Sequence, residues 1–152
     1  MLTALIIVVS VGAGLLALLT FLMLVFTSLR KRLSAEVERR FGGQMVLLQA
    51  LNANFFGQQS KGVGQIRGNG ALVLTEDELW FLLGIPSREI SIPLRDITSV
   101  SLVKSHLGKT KLRPLLRVEY LSEGIADSVA WAVNDPEKWK ATIEETTGGT
   151  WT

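Results

Sequence analysis

The chain has no cysteine and a single histidine among its 152 residues. Disulfide stapling, a thiolate nucleophile and a cysteine-built zinc site are therefore excluded. The one imidazole, His106, has no carboxylate beside it in sequence from which to assemble a triad. A second absence is more informative. No charged side chain occurs in the first 29 residues, and Arg30-Lys31-Arg32 follows at once.

A helix rises about 1.5 Å per residue, so about 20 apolar residues cross a bilayer core, and residues 1–29 read as a transmembrane helix with length to spare for tilt. No basic segment precedes this stretch and no small-x-small cleavage site separates it from the arginines, so it is expected to stay attached as a signal anchor. Arg30, Lys31 and Arg32, with Arg39 and Arg40, all lie on its C-terminal side. The positive-inside bias places the remaining chain in the cytoplasm of a single-pass cell-membrane protein, with Arg30, Lys31 and Arg32 at the lipid surface. The lack of cysteine and of any Asn-x-Ser/Thr sequon agrees with that side of the membrane. Within the span, Ser10 with Gly14, and Ala13 with Ala17, are small residues four apart, a spacing that permits close packing of a second copy in a homodimer. Ordinary composition of a spanning helix is the simpler reading.

The net charge of +2 is small and no polycationic tract is present, so nucleic acid is not an expected partner. Residues 30–43 form a basic juxtamembrane stalk, in which Leu33, Val37 and Phe41 recur every four residues and Gly42-Gly43 marks the end. This stripe is expected to dock on the chain's own domain. Residues 44–147 suffice for one small domain, and 148–152 make a short tail.

In that domain the periodicity changes from helical to alternating. Met45 to Leu51 reads as a first strand, and Asn52 to Asn69 as a long connection carrying Phe55 and Phe56. Ala71 to Thr75 and Leu79 to Leu83 flank Glu76-Asp77-Glu78 as a hairpin. Ile90, Ile92 and Leu94 alternate with Ser91 and Pro93, which suggests an edge. Ile97 to Val103, Leu116 to Leu121 and Ser128 to Val133 supply further strands. Asn134-Asp135-Pro136-Glu137 then starts a helix, with Asp135 as its cap, whose Trp139 and Ile143 share a face and can plug a curved sheet. Gly148-Gly149 ends it. Trp80, Trp131 and Trp139 are read as core, and Trp151 as part of the tail.

About seven short strands followed by one amphipathic helix resemble the pleckstrin-homology-like superfold, in particular its GRAM and bacterial PH-like branches. The resemblance is carried by Gly70-Ala-Leu-Val-Leu-Thr75, Leu79-Trp-Phe81, Ile92-Pro-Leu-Arg-Asp-Ile97 and the Trp139 helix. Ala53 to Gly57, Arg67 to Gly70 and His106 to Thr110 are similar to stretches in other membrane-anchored proteins of this kind. The fold implied is a mainly-β PH-like domain, a seven-stranded curved sheet or barrel capped by a C-terminal helix, behind a transmembrane helix. The function implied is a binding module for lipids, peptides or proteins. The lipid-binding pattern of that superfold sets Lys and Arg across the first hairpin, whereas this chain has Asn52, Asn54, Phe55 and Phe56 there, with Lys61 and Arg67 only later.

The strongest local cluster of site character is Lys104 to Arg113, read as an inter-strand loop with Lys104, His106, Lys109, Lys111 and Arg113 and no acid. It suits phosphate or an acidic peptide. A solvated loop whose lysines discourage edge pairing is the competing reading. Gly108-Lys109-Thr110 imitates the end of a phosphate-binding loop, but Val103 stands where that loop needs its first glycine. Phe55 and Phe56 are either core or a partner contact. No catalytic residue, cofactor or metal site is expected. The expectation is a non-enzymatic interaction module that binds a protein or peptide partner at the membrane surface; anionic-lipid recognition through residues 104–113 and a structural subunit of a membrane assembly are the alternatives.

Overall fold

The computed structural model describes residues 1–149, the side chain of Leu5 excepted; Trp151 and its two neighbours in the tail lie outside the described residues. The chain divides into two compact units, Met1–Arg32 and the residues from Leu33 onward.

The first unit is the greater part of helix α1, Leu2–Phe41. Its apolar side chains, Ile6, Leu15 and Phe26 among them, face outward. The hydroxyls of Ser10, Thr20 and Thr27 donate to carbonyls one turn back at 2.8, 2.8 and 2.9 Å. A helix that satisfies its own backbone and hydroxyl groups in this way is suited to hydrocarbon. Among the described residues it is the one helix long and apolar enough to cross a membrane.

The second unit holds strands β1 (Val46–Gln58), β2 (Gly68–Thr75), β3 (Glu78–Leu83), β4 (Arg88–Pro93), β5 (Ile97–His106), β6 (Lys109–Ser122) and β7 (Ile125–Ala132), then helix α2 (Pro136–Thr146). They form one antiparallel sheet in the order β4-β3-β2-β1-β7-β6-β5. Asn54 and Phe55 pair with β2 on one side and β7 on the other, so the end of β1 joins the two halves of the sheet. The inner face is a single core in which Phe55 stacks on Phe81 at 5.5 Å and Trp131 packs against Phe81 at 5.6 Å. Helix α2 lies against β5 and β6 and adds Trp139 and Ile143 to that core. Close approach of β2 to β3 requires Gly70, where a Cβ would stand 2.2 Å from the Leu82 carbonyl oxygen and 2.6 Å from the Phe81 ring.

Three expectations are corrected. The connection read over Asn52 to Asn69 is half strand. β1 continues to Gln58 through irregularities in register at Ala50/Ala53 and Phe55/Gly57, which break the alternation that marks a strand in sequence. The 104–113 segment is not a loop but the tip of the β5–β6 hairpin. His106 pairs with Lys109 across the two-residue turn Leu107-Gly108, both with positive φ, 50° and 71°. Asp135 precedes α2 as expected, but it takes a left-handed φ of 56° and its side chain bonds no helix N–H; Trp139 N donates to its backbone carbonyl instead.

The stalk end of α1 buries Leu33, Val37 and Phe41. Phe41 meets Trp80 edge-on at 5.3 Å, on the sheet face opposite the core, where Ala71, Val73 and Trp80 are also buried. Arg40 lies over both rings and pairs with Glu89 at 2.8 Å and Glu78 at 3.2 Å, while Trp80 Nε1 donates to Glu89 at 2.7 Å.

Candidate functional site

The sequence-derived cluster divides in the structure. Two of its members hold the fold together. His106 is buried and donates from Nε2 to the Gly57 carbonyl at 3.1 Å, and Lys109 Nζ donates to the Gln65 carbonyl at 2.8 Å. His106 ties the hairpin tip to the end of β1, and Lys109 ties it to the segment 59–67 between β1 and β2. Lys104, Lys111 and Arg113 remain exposed, and among the described residues none of them has an ion-pair partner. Leu112, between the last two, is fully exposed.

Burial holds the His106 imidazole below its usual range, with the Arg117 and Lys109 charges adding to the effect. The unfolded chain takes up this proton near pH 6.5, and below that pH the unfolded state binds more protons than the folded one. The contribution of His106 to stability is therefore complete above about pH 6.5 and declines as the pH falls toward the depressed folded value. Melting of the detergent-solubilised chain is expected to drop between about pH 7 and 5. In His106→Gln, which has no proton to gain, that part of the drop should vanish.

Phe55 and Phe56, adjacent on β1, point to opposite faces of the sheet. Phe55 enters the main core; Phe56 joins Leu115, Ala130 and Ala132 in a smaller cluster on the outer side. Each ring lies under a guanidinium, Arg88 at 5.7 Å from Phe55 and Arg67 at 4.2 Å from Phe56. Neither ring is presented to a partner; both are buried because the strand extends past the point where the sequence pattern fades.

One group of polar residues escaped the sequence reading. The buried Asp127 carboxylate accepts from Ser60 N (2.9 Å), Ser60 Oγ (2.7 Å), Gln58 Nε2 (2.7 Å), Tyr120 Oη (3.1 Å) and Ser128 N (2.8 Å). Burial works to raise this carboxyl, but the Ser60, Gln58 and Ser128 hydrogen bonds outweigh it and hold it below the usual carboxylate range. Burial and the facing Asp127 push the Tyr120 phenol well above its ordinary range. Gln58 also accepts from Arg88, whose other terminal nitrogen reaches Gln65 Oε1 at 3.1 Å. The network fixes the β1–β2 segment against the end of the sheet. Only Asp127, an acid at the start of the buried part of β7, carried any signal of it in the sequence.

No group of three His, Cys, Asp or Glu side chains among the described residues is placed to hold a metal ion. Arg30, Lys31 and Arg32 are exposed on α1.

No family profile and no curated protein matches the sequence. The C-terminal domain of an unknown protein from Leishmania infantum is similar in structure, with a TM-score of 0.53 at 14% identity over 77% of this chain and 96% of that one. The Vps36 N-terminal PH domain is similar with a TM-score of 0.50 at 14% identity, over 71% of this chain and 82% of that one. At that identity the likeness concerns the backbone. Together with the seven antiparallel strands and the capping helix α2, it establishes that the chain carries a PH-like fold.

Proposed function

We propose that the chain is a single-pass, membrane-anchored, non-enzymatic interaction module whose cytoplasmic PH-like domain binds a protein partner in extended form along the free edge of β5. The observation that carries this reading is the contrast between the two ends of the sheet. β4 is six residues long, ends in Pro93, and has its Glu89 engaged by Trp80 and Arg40. β5 is ten residues long, and its Ser99 to Val103 stretch pairs in unbroken register with β6. That stretch contains neither proline nor charge, and no further strand among the described residues covers its other side. A strand edge left without a pairing strand in this way is a template for an added strand: main-chain hydrogen bonds supply affinity and alternate side chains supply specificity. The anchor already provides membrane residence, so the partner gains proximity to the bilayer without a lipid-specific pocket.

With a photo-crosslinking residue at Thr98 or Ser101 of the full chain in its own membranes, a discrete protein adduct is expected from β5 and none from Ser91 on β4. A cytoplasm-only reporter fused after Thr152 is expected to be active. Adducts to lipid alone from both β5 positions would refute the protein-binding reading. Activity of an exported reporter only would refute the orientation.

A further inference from the structure

Three segments near one end of the sheet are joined by direct contacts: 59–67 between β1 and β2, the turn 84–87 between β3 and β4 with Arg88 at the start of β4, and the β5–β6 tip. Lys109 Nζ reaches the Gln65 carbonyl, Arg67 reaches the Thr110 carbonyl at 3.5 Å, and Arg88 bonds Gln65. A Cβ on Gly68 would lie 3.4 Å from the Ile85 carbonyl oxygen, so the β3–β4 turn abuts the end of the same segment. None of these segments contains an acid, whereas they carry Lys61, Arg67, Lys104, Lys111 and Arg113, all exposed. On the neighbouring elements, Asp127 is enclosed by its five donors, Glu89 on β4 is exposed but held by Arg40 and Trp80, and Glu123 in the β6–β7 turn is exposed as well.

Four aliphatic side chains stand out among these cations: Val63 at 70%, Ile66 at 68%, Ile85 at 65% and Leu112 at 106% relative exposure. Single exposed aliphatics are ordinary, but four on contacting segments, interleaved with cations that have no ion-pair partner among the described residues, form a mixed surface. An acidic peptide satisfies the charges and leaves the aliphatics in water. An anionic bilayer satisfies both, because the lysines and arginines meet headgroups while the aliphatics enter the headgroup–acyl boundary.

We infer that Val63, Ile66, Ile85 and Leu112, with Lys61, Arg67, Lys104, Lys111 and Arg113, form a second membrane contact that lays this end of the domain on an anionic lipid surface. The inference rests on the reading of α1 as an anchor and is independent of the β5 edge. The tether turns surface binding into an intramolecular step, so a face too weak to recruit a free domain suffices to orient an anchored one.

The absence of cysteine makes the test clean. Full-length chains carrying one substitution each, Val63→Cys, Leu112→Cys or, at the other end of β2, Glu76→Cys, are labelled with a polarity-sensitive fluorophore and reconstituted into nanodiscs. The discs contain phosphatidylcholine with or without phosphatidylserine. Emission at positions 63 and 112 is expected to shift to the blue in the anionic discs only, and position 76 is expected not to respond. Combining Lys104→Glu, Lys111→Glu and Arg113→Glu should remove the shift, consistent with a loss on the order of a hundredfold in the surface-bound population. High salt should weaken it. Co-elution with the disc after a salt wash reports the anchor separately. A retained chain with no shift at 63 and 112 would overturn the membrane face alone, and so would a shift produced only by an added acidic peptide. A chain lost from the disc would overturn the anchor and this face with it.

Discussion

Replacing Trp139 by Ala is expected to lower the unfolding free energy by about 3 to 5 kcal/mol, the range for removing a buried large aromatic ring. Trp139 is 4% exposed and belongs to the main core together with Ile143 and residues of β5 and β6. α2 is only eleven residues long, too short to persist without its packed face. Losing the ring therefore opens a cavity and loosens the helix that closes the curved sheet. Chemical unfolding of the detergent-solubilised full chain, followed by the β-sheet signal, measures the change. A variant as stable as the parent would show that α2 rests on the sheet without closing it.

Asp127→Ala is expected to cost about 3 kcal/mol, since a hydrogen bond to a charged group contributes about 1.5 to 3 kcal/mol net and the five bonds to this carboxylate are not additive. Its folded pKa lies below the unfolded value near 3.9, so its protonation-linked stabilisation is complete above about pH 4 and is lost as the pH falls through the folded value. The variant should accordingly show a shallower acid limb in its stability profile. The loss should also be local. Ser60 N donates to Asp127, so hydrogen exchange at that amide is expected to speed up in the variant more than exchange in β2 or β3. Equal protection of Ser60 in both proteins would mean that the β1–β2 segment is held by Gln65 and Lys109 without the acid.

The readings that came through intact depend on local rules. Trp80 and Trp131 were legible as core because apolar positions alternate along β3 and β7; both are buried. The β2–β3 hairpin was legible because Glu76-Asp77 interrupts two such runs, and Thr75 Oγ1 accepts from the Asp77 and Glu78 amides at 3.3 and 3.1 Å to close it. The start of α2 at Pro136 followed from the ring that sets φ there. Failures arose where pairing crosses long stretches of chain. Asn52, Asn54 and Gly57 are poor strand residues, yet β1 persists through them because β2 and β7 both supply partners. The β5–β6 tip reads in sequence as a loop because, with Lys104, Lys111 and Arg113 exposed, it shows no apolar alternation to mark its strands.

By itself the sequence determined the uncharged segment and its basic boundary, the number and order of most strands, the capping helix, and hence the fold class. These follow from periodicities and charge steps that act over one turn or one strand. Only the tertiary structure decided which cations are free. Residues 49 positions apart place His106 on the Gly57 carbonyl, and 44 apart place Lys109 on Gln65, leaving Lys104, Lys111 and Arg113 to face outward. Likewise it alone put Arg40 between Glu78 and Glu89, and brought four distant aliphatics onto contacting segments. The reason is that a side chain's solvation and partners depend on which strands meet, and sheet pairing between distant segments is set by the joint burial of one core rather than by any residue's neighbours in the chain.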